Sequence, residues 1–242
     1  MAWVSGGYYI ALPTKRARYM SPEFTPDAVI SASACLCDFF PDAWTLEWAS
    51  VSDAERTRAA SLFGLTPAAL ADAVTWATAS FGKAFGWPGA FYTLDAAREA
   101  CARFLPSLVT TVIFGLGLNE EDVPDFLAAA SPANKGLGGS GIFECVKAAE
   151  KIAEGGTFLG HELLATDYGL ITCSWLCNGL EKECANRLDI RTNRSGFIET
   201  YEAARSCAEF ISQPETGAEP GLWLPWAVTS YEGSAHKNAP YR

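Results

Sequence analysis

Two histidines and eight cysteines bound the nucleophilic and metal chemistry open to this chain of 242 residues. His236 lies close to the C-terminal end, so histidine-dependent catalysis rests on His161, in the stretch Gly-His-Glu-Leu-Leu. A thiol–histidine site would take Cys173 or Cys177 as nucleophile, with His161 as base and Asp167 as the acid that orients the imidazole. Their order and spacing match no established nucleophile motif, and a cysteine in an apolar segment is ordinarily an inert core residue. Zinc would draw on Cys173, Cys177 and Cys184 with His161. Their C-x3-C-x6-C spacing is not the paired C-x2-C of structural sites, so no metal and no cofactor is expected.

The loop Gly136-Leu-Gly-Gly-Ser-Gly141 opens a helical pattern, and backbone N–H groups at Gly138, Gly139 and Ser140, helped by Lys135, would suit an anion. It lacks the Gly-Lys-Ser/Thr ending of a phosphate-binding loop and follows Pro132 instead of a strand, so it reads as a flexible connector. Trp44 and Trp48 beside Asp42 and Glu47 have the aromatic-plus-acid composition of a sugar site, but no second placed carboxylate accompanies them. They read as a packed helix face. Trp223 and Trp226 flank Pro225 and are harder to bury together, which makes them candidate anchors for a partner.

Charge points the same way. The chain carries a net charge of −10, and it is uneven: residues 1–118 hold eight basic and ten acidic side chains, residues 119–242 ten and eighteen. No basic surface for nucleic acid is evident. Glu181, Glu183, Glu199 and Glu202 in the acidic half form, with the two tryptophans, the candidate surface for a basic protein partner, whose approach they would steer. An intracellular binding protein of the bacterial immunity or antitoxin kind fits this pattern. The second expectation, from another class, is a small-molecule enzyme using histidine or thiol chemistry between two halves.

The elements that position these residues carry an internal echo. Thr93-Leu-Asp-Ala-Ala-Arg98 and Thr200-Tyr-Glu-Ala-Ala-Arg205 each read as a threonine-capped helix, followed by a cysteine (Cys101, Cys207) and then an apolar run, Leu108 to Leu118 and Leu222 to Val228. The cysteines sit one residue out of register. The period is too long for a solenoid, so the echo points to a duplicated α/β unit. The expected fold is α+β, two related halves packed side by side with helices in excess, spanning 1–133 and 142–242 with a connector over 134–141. The two halves are also compatible with one compact domain.

Residues 3–12 read as a strand, and 28–33 as a second one. Thr66-Pro67 opens a helix to about Lys83, and 119–130 reads as a helix with acids at its start. A further helix over 142–153 leads to a hairpin around 162–165 and 169–172. Asn178 and Glu181 form a capping box for the helix after it. Pro225 marks 221–226 as an edge strand, because proline cannot donate to a ladder. Hydrophobic residues make up 49% of the chain, enough for a well-packed core. Its longest apolar stretch is about half of the ~20 residues a membrane span needs. No basic residue precedes the first apolar ones, so a cytoplasmic protein is expected.

Overall fold

The computed structural model describes residues 2–12, 29–33, 38–39, 54, 64–86, 89–105, 112–130, 141–167 and 169–231. Along the chain these form β1 (Trp3–Leu12), β2 (Asp38–Phe39), α1 (Pro67–Ser80), β3 (Phe85–Gly86), β4 (Ala90–Phe91), α2 (Leu94–Phe104) and β5 (Val112–Asn119). Then follow α3 (Val123–Ala130), α4 (Gly141–Ala148), β6 (Thr157–Asp167), β7 (Leu170–Ser174), α5 (Leu180–Leu188), α6 (Tyr201–Ile211) and β8 (Leu222–Tyr231). A short 3-10 turn, Trp175–Asn178, leads into α5. The architecture is α+β around one antiparallel sheet, in the order β3-β4-β1-β5-β8-β6-β7, with β2 also on β1.

Alternation along the strands gives the sheet two buried faces. On one face, Ile10, Ile113 and Tyr231 pack under α1 and α2. Trp223 shares that face, being eight residues from Tyr231 on β8, and lies with Leu163 and Ala165 under α5 and α6. The opposite face carries Tyr9, Phe114, Leu116, Leu164, Trp226 and Val228, covered by Phe126 of α3 and by Ile142 and Val146 of α4.

The two echoed segments occupy corresponding places. Thr93 and Thr200 cap α2 and α6, each accepting a hydrogen bond from the N–H three residues on. Such a cap stabilises a helix by about 1 kcal/mol. Counting from the threonine, both helices bury positions 1, 4, 7, 8 and 11: Leu94, Ala97, Ala100, Cys101 and Phe104 in one, Tyr201, Ala204, Cys207, Ala208 and Ile211 in the other. The cysteines look out of register only because Ala-Cys in α2 is Cys-Ala in α6. Each helix feeds a central strand, β5 or β8, and these two pair with each other over six residues. Each central strand also pairs with a long strand of its own half, β1 or β6.

Both long strands are bulged, β1 between Ser5 and Tyr8, β6 between Phe158 and Gly160. Each bulge contains a glycine at positive φ, Gly7 at 99° and Gly160 at 129°. An extra residue in one strand sharpens its twist and re-aims the side chains beyond it. Phe158 and His161, three apart, therefore project to the same side.

Several expectations are corrected. Residues 29–33 carry a single bridge at Val29 and no strand. The acids at 120–122 stand in a turn before α3, which begins at Val123. Helix α4 stops at Ala148 because Ala149 turns left-handed (φ 55°), and the chain then pairs with β1 through Ser5 N–H to Glu150 O at 2.7 Å. No capping box precedes α5; Gly179 at φ 67° joins it to the 3-10 turn without a side-chain cap. Strand β8 is central, not an edge. Pairing with β5 ends at Trp226, so Pro225 is flanked only by Leu163 of β6 and takes no donor from the β5 ladder. Asp42–Trp48, the capping box that the sequence suggests between Ser52 and Glu55, and the connector from 134 to 140 lie outside the described residues.

At Gly160 a close approach and a positive φ coincide. An added Cβ would stand 2.7 Å from Phe197 Cβ and 2.8 Å from Ile198 O, on a backbone that L-residues rarely adopt. Gly160→Ala is expected to destabilise by about 2–4 kcal/mol, read from the urea midpoint. Gly217→Ala, at φ 68° with open space around it, should cost only about 1 kcal/mol.

Candidate functional site: an aromatic and acidic surface over His161

Strand β6 delivers His161 to the face under α6, where it is 3% exposed. Its ring is enclosed by Trp3 from the start of β1 (centroids 5.3 Å apart), Phe158 from across the bulge (5.2 Å) and Tyr201 from the first turn of α6 (6.2 Å). The backbone of His161 exchanges two hydrogen bonds with Ile198, at 2.7 and 3.0 Å. Its Nδ1 lies 3.2 Å from the Ile198 carbonyl. A carbonyl only accepts, so Nδ1 carries the proton and Nε2 presents a lone pair. Nε2 is buried with no hydrogen-bond partner among the described residues. Burial lowers the His161 pKa below the ordinary histidine value, against the Ile198 carbonyl and the Glu202 carboxylate, which raise it.

Beneath this cluster a charged network ties the β5–α3 turn to α6. Asp122 is fully buried; Tyr201 donates to its Oδ2 at 2.9 Å and Arg205 donates to its Oδ1. Arg205 also donates to Glu209 at 3.3 Å. Burial raises the Asp122 pKa, and the Tyr201 hydroxyl and Arg205 pull it back. The Tyr201 pKa is pushed up to about 12, first by burial and then by the Asp122 hydrogen bond, so its hydroxyl stays a donor.

Above the cluster the surface is aromatic and acidic. Phe158 is 51% exposed, one of two large hydrophobic side chains left exposed among the described residues. Trp3 is half-buried. Glu199, next to Ile198, and Glu202, which acts on His161, are both exposed, and Glu120 joins the rim through its N–H to Ala2 O at 3.3 Å. Exposed Arg194 follows Asn193, whose amide donates to Leu159 O at 2.8 Å, so the rim also carries a cation.

The residues singled out from the sequence are distributed differently. Cys173 pairs with Ala165 on β6, four residues or about 13 Å from His161 along the strand. It is buried, with its thiol donating to Ser174 O at 3.4 Å. Asp167 stands exposed at the end of β6, six residues or about 20 Å from His161. The structure does not bring these three together. Trp223 and Trp226 are both buried, Trp223 donating from Nε1 to Glu219 O at 3.0 Å, and neither offers a face to a partner. Their separation in space comes from the sheet itself: three apart on β8, they point to opposite faces. Glu181 is buried too, while Glu183 is exposed on α5. Lys135, Gly138, Gly139 and Ser140 lie outside the described residues. Among those described, no three His, Cys, Asp or Glu side chains are grouped to hold a metal, and no helix is long and apolar enough to cross a membrane.

Sequence reasoning missed Phe158, Trp3 and the Asp122–Tyr201–Arg205 network. The one available signal was Arg205, the echo partner of Arg98. Arg98 makes an exposed ion pair with Asp95 at 3.7 Å and no buried pair among the described residues, so the repeated arginine does not repeat its role.

A second polar group lies on the other face of β6. Glu162 is fully buried, accepts from Ser31 on Oε1, and has no partner in hydrogen-bond geometry on Oε2. Ser31 Oγ in turn accepts from the Ser33 N–H at 3.0 Å, and Ser33 Oγ meets Cys177 Sγ at 3.6 Å. Burial drives the Glu162 pKa up to about 8, although the Ser31 and Ser174 side chains and the Ala32 backbone oppose it. At neutral pH the carboxyl is therefore mostly protonated, and it ties residues 31–33 to the sheet.

No family model, no curated protein and no solved structure matches the chain.

Glu162 gives stability a definite pH dependence. Its folded pKa lies above the ordinary value of 4.5, so the folded state keeps a proton that the unfolded chain releases. The contribution is complete below pH 4.5 and is lost as pH rises to about 8, with an upper bound of about 4–5 kcal/mol. His161 works in the opposite sense at lower pH, costing stability as pH falls below 6.5. Urea titrations at pH 5 and pH 9 should show the wild-type chain weakening at the higher pH, and Glu162→Gln should remove most of that difference. An equal loss in both proteins would place the titrating group elsewhere.

Proposed function

We propose that the chain is a non-enzymatic binding protein that engages a basic protein partner through the acidic, aromatic surface around Phe158. The observation that supports this most is Phe158 itself: a large apolar ring held half in solvent over a buried histidine, with Glu199 and Glu202 exposed beside it. An aromatic anchor inside a charged rim is the usual form of a protein-binding hot spot. Phe158 takes the role that the sequence suggested for Trp223 and Trp226, and Glu183, Glu199 and Glu202 keep theirs. A cytoplasmic immunity or antitoxin protein, neutralising a basic toxin, is the biological class this fits. The histidine–thiol reading gains nothing from the separation of His161, Cys173 and Asp167.

We also propose that the two halves are copies of one unit of strand, paired strand, helix and central strand. The coincident buried positions of α2 and α6, their matching threonine caps and the bulged long strands support it. On this reading the copies have diverged at the bulge, where the second acquired the exposed aromatic.

The test is capture of the partner from host lysate at low salt, followed by kinetics with the purified pair. Charge reversal of Glu199 and Glu202 to lysine is expected to slow association about tenfold or more and to leave dissociation nearly unchanged, with the difference shrinking at high salt. Unchanged association at low salt would contradict the proposal.

A further inference from the structure

We infer that the surface around Phe158 is built to receive an arginine side chain of the partner, with His161 Nε2 as an acceptor at its base. The inference rests on the binding reading above and narrows it from a basic protein to one kind of contact. Three features converge. The rings of Phe158 and Trp3 both pack on His161, with centroids within 5.3 Å of it, and a planar guanidinium stacks on such rings where an ammonium, compact and strongly hydrated, does so less well. The carboxylates of Glu199 and Glu202 are exposed beside them, and a guanidinium can donate to carboxylates in a fork. Nε2 of His161, 97% buried with its residue, is an acceptor without a donor. The Ile198 carbonyl holds Nδ1, which leaves Nε2 on the side of the ring away from Ile198.

An unmet acceptor of this kind costs about 1–3 kcal/mol, and native proteins ordinarily satisfy such groups. Phe158, whose ring meets the His161 ring edge-on at 5.2 Å, is the most exposed large apolar side chain among the described residues and stands next to a bulge that interrupts the ladder. On this inference the incoming arginine displaces that ring to reach Nε2. An arginine has donors to spare for it: five N–H groups serve two carboxylates and still leave one for the imidazole. The chain already uses this chemistry one layer below, where Arg205 is held by Asp122 and Glu209. Exposed Arg194 on the rim works against an incoming cation, so the contact requires the Glu199–Glu202 side of the patch.

The test uses the full chain with nona-arginine and nona-lysine peptides near physiological salt, and side-chain nitrogen NMR of the two histidines assigned with His161→Gln. Nona-arginine is expected to bind about tenfold more tightly than nona-lysine. It should also shift the His161 Nε2 resonance, and Phe158→Ala should cut nona-arginine affinity about tenfold while weakening nona-lysine much less, which removes the arginine preference. Phe158 is exposed, so that variant is expected to keep its fold, which an unchanged urea midpoint would verify. Equal binding of the two peptides, with Nε2 unmoved, would overturn the arginine inference and leave the acidic-surface proposal standing. Failure of both peptides to bind even in low salt would overturn the arginine inference and the acidic-surface proposal together.

Discussion

Six consecutive residue pairs, from Ile113 with Tyr231 to Leu118 with Trp226, hydrogen-bond β5 to β8 in the middle of the sheet. One strand comes from the middle of the described chain and the other from its end, and each is the last strand of its half. Because strand pairing fixes which side chains face which way, this register decides both buried faces at once. It sets Ile113 and Tyr231 under α1 and α2, and Leu116, Val228 and Trp226 under α3 and α4. A slip of one residue would turn the fully buried Trp226 and Val228 toward the wrong layer. The helices depend on that register for the grooves they fill.

The bulges in β1 and β6 are the second constraint, and they explain why the candidate site lies where it does. Without the extra residue, Phe158 and His161 would alternate to opposite faces, and neither the ring contact nor the shared rim with Glu202 would exist. Gly160 is the only residue type that fits there, hemmed in by Phe197 and Ile198. Ile198 pairs with His161 through two backbone bonds, and its carbonyl, 3.2 Å from Nδ1, sets the tautomer that leaves Nε2 a lone pair. On the opposite face, the neighbouring residue Glu162 is buried in a separate serine-lined environment. One strand thus places two adjacent polar residues in two unrelated settings.

Much of the fold was legible because it rests on local signals. Thr66-Pro67, Thr93 and Thr200 announced three helices through cap chemistry alone, and all three threonines accept the capping bond. Aromatic and β-branched residues ending at Pro13 announced β1 with its bounds unchanged. What failed depended on distant partners. Pro225 suggested an edge strand, because nothing local reveals that the β5–β8 pairing ends one residue short of it. Helix α4 was read too long because Ala149 adopts a left-handed turn for the sake of pairing with β1, against its own propensity. The site was less legible still. Glu181 and Glu202 look alike in sequence, yet one is buried and the other exposed. The same local blindness made two tryptophans look like anchors and passed over Phe158, whose exposure follows from a bulge visible only in the strand register.

If the Phe158 surface is where the molecule meets its partner, it should carry the footprint of the complex. Amide hydrogen exchange of the full chain, measured alone and with the captured partner, reads this directly. Added protection is expected over residues 157–161 and 198–202, with α1 and α2 on the far half of the same sheet face unchanged. Protection confined to α1, α2 or α4, with 157–161 exchanging as in the free protein, would contradict the account.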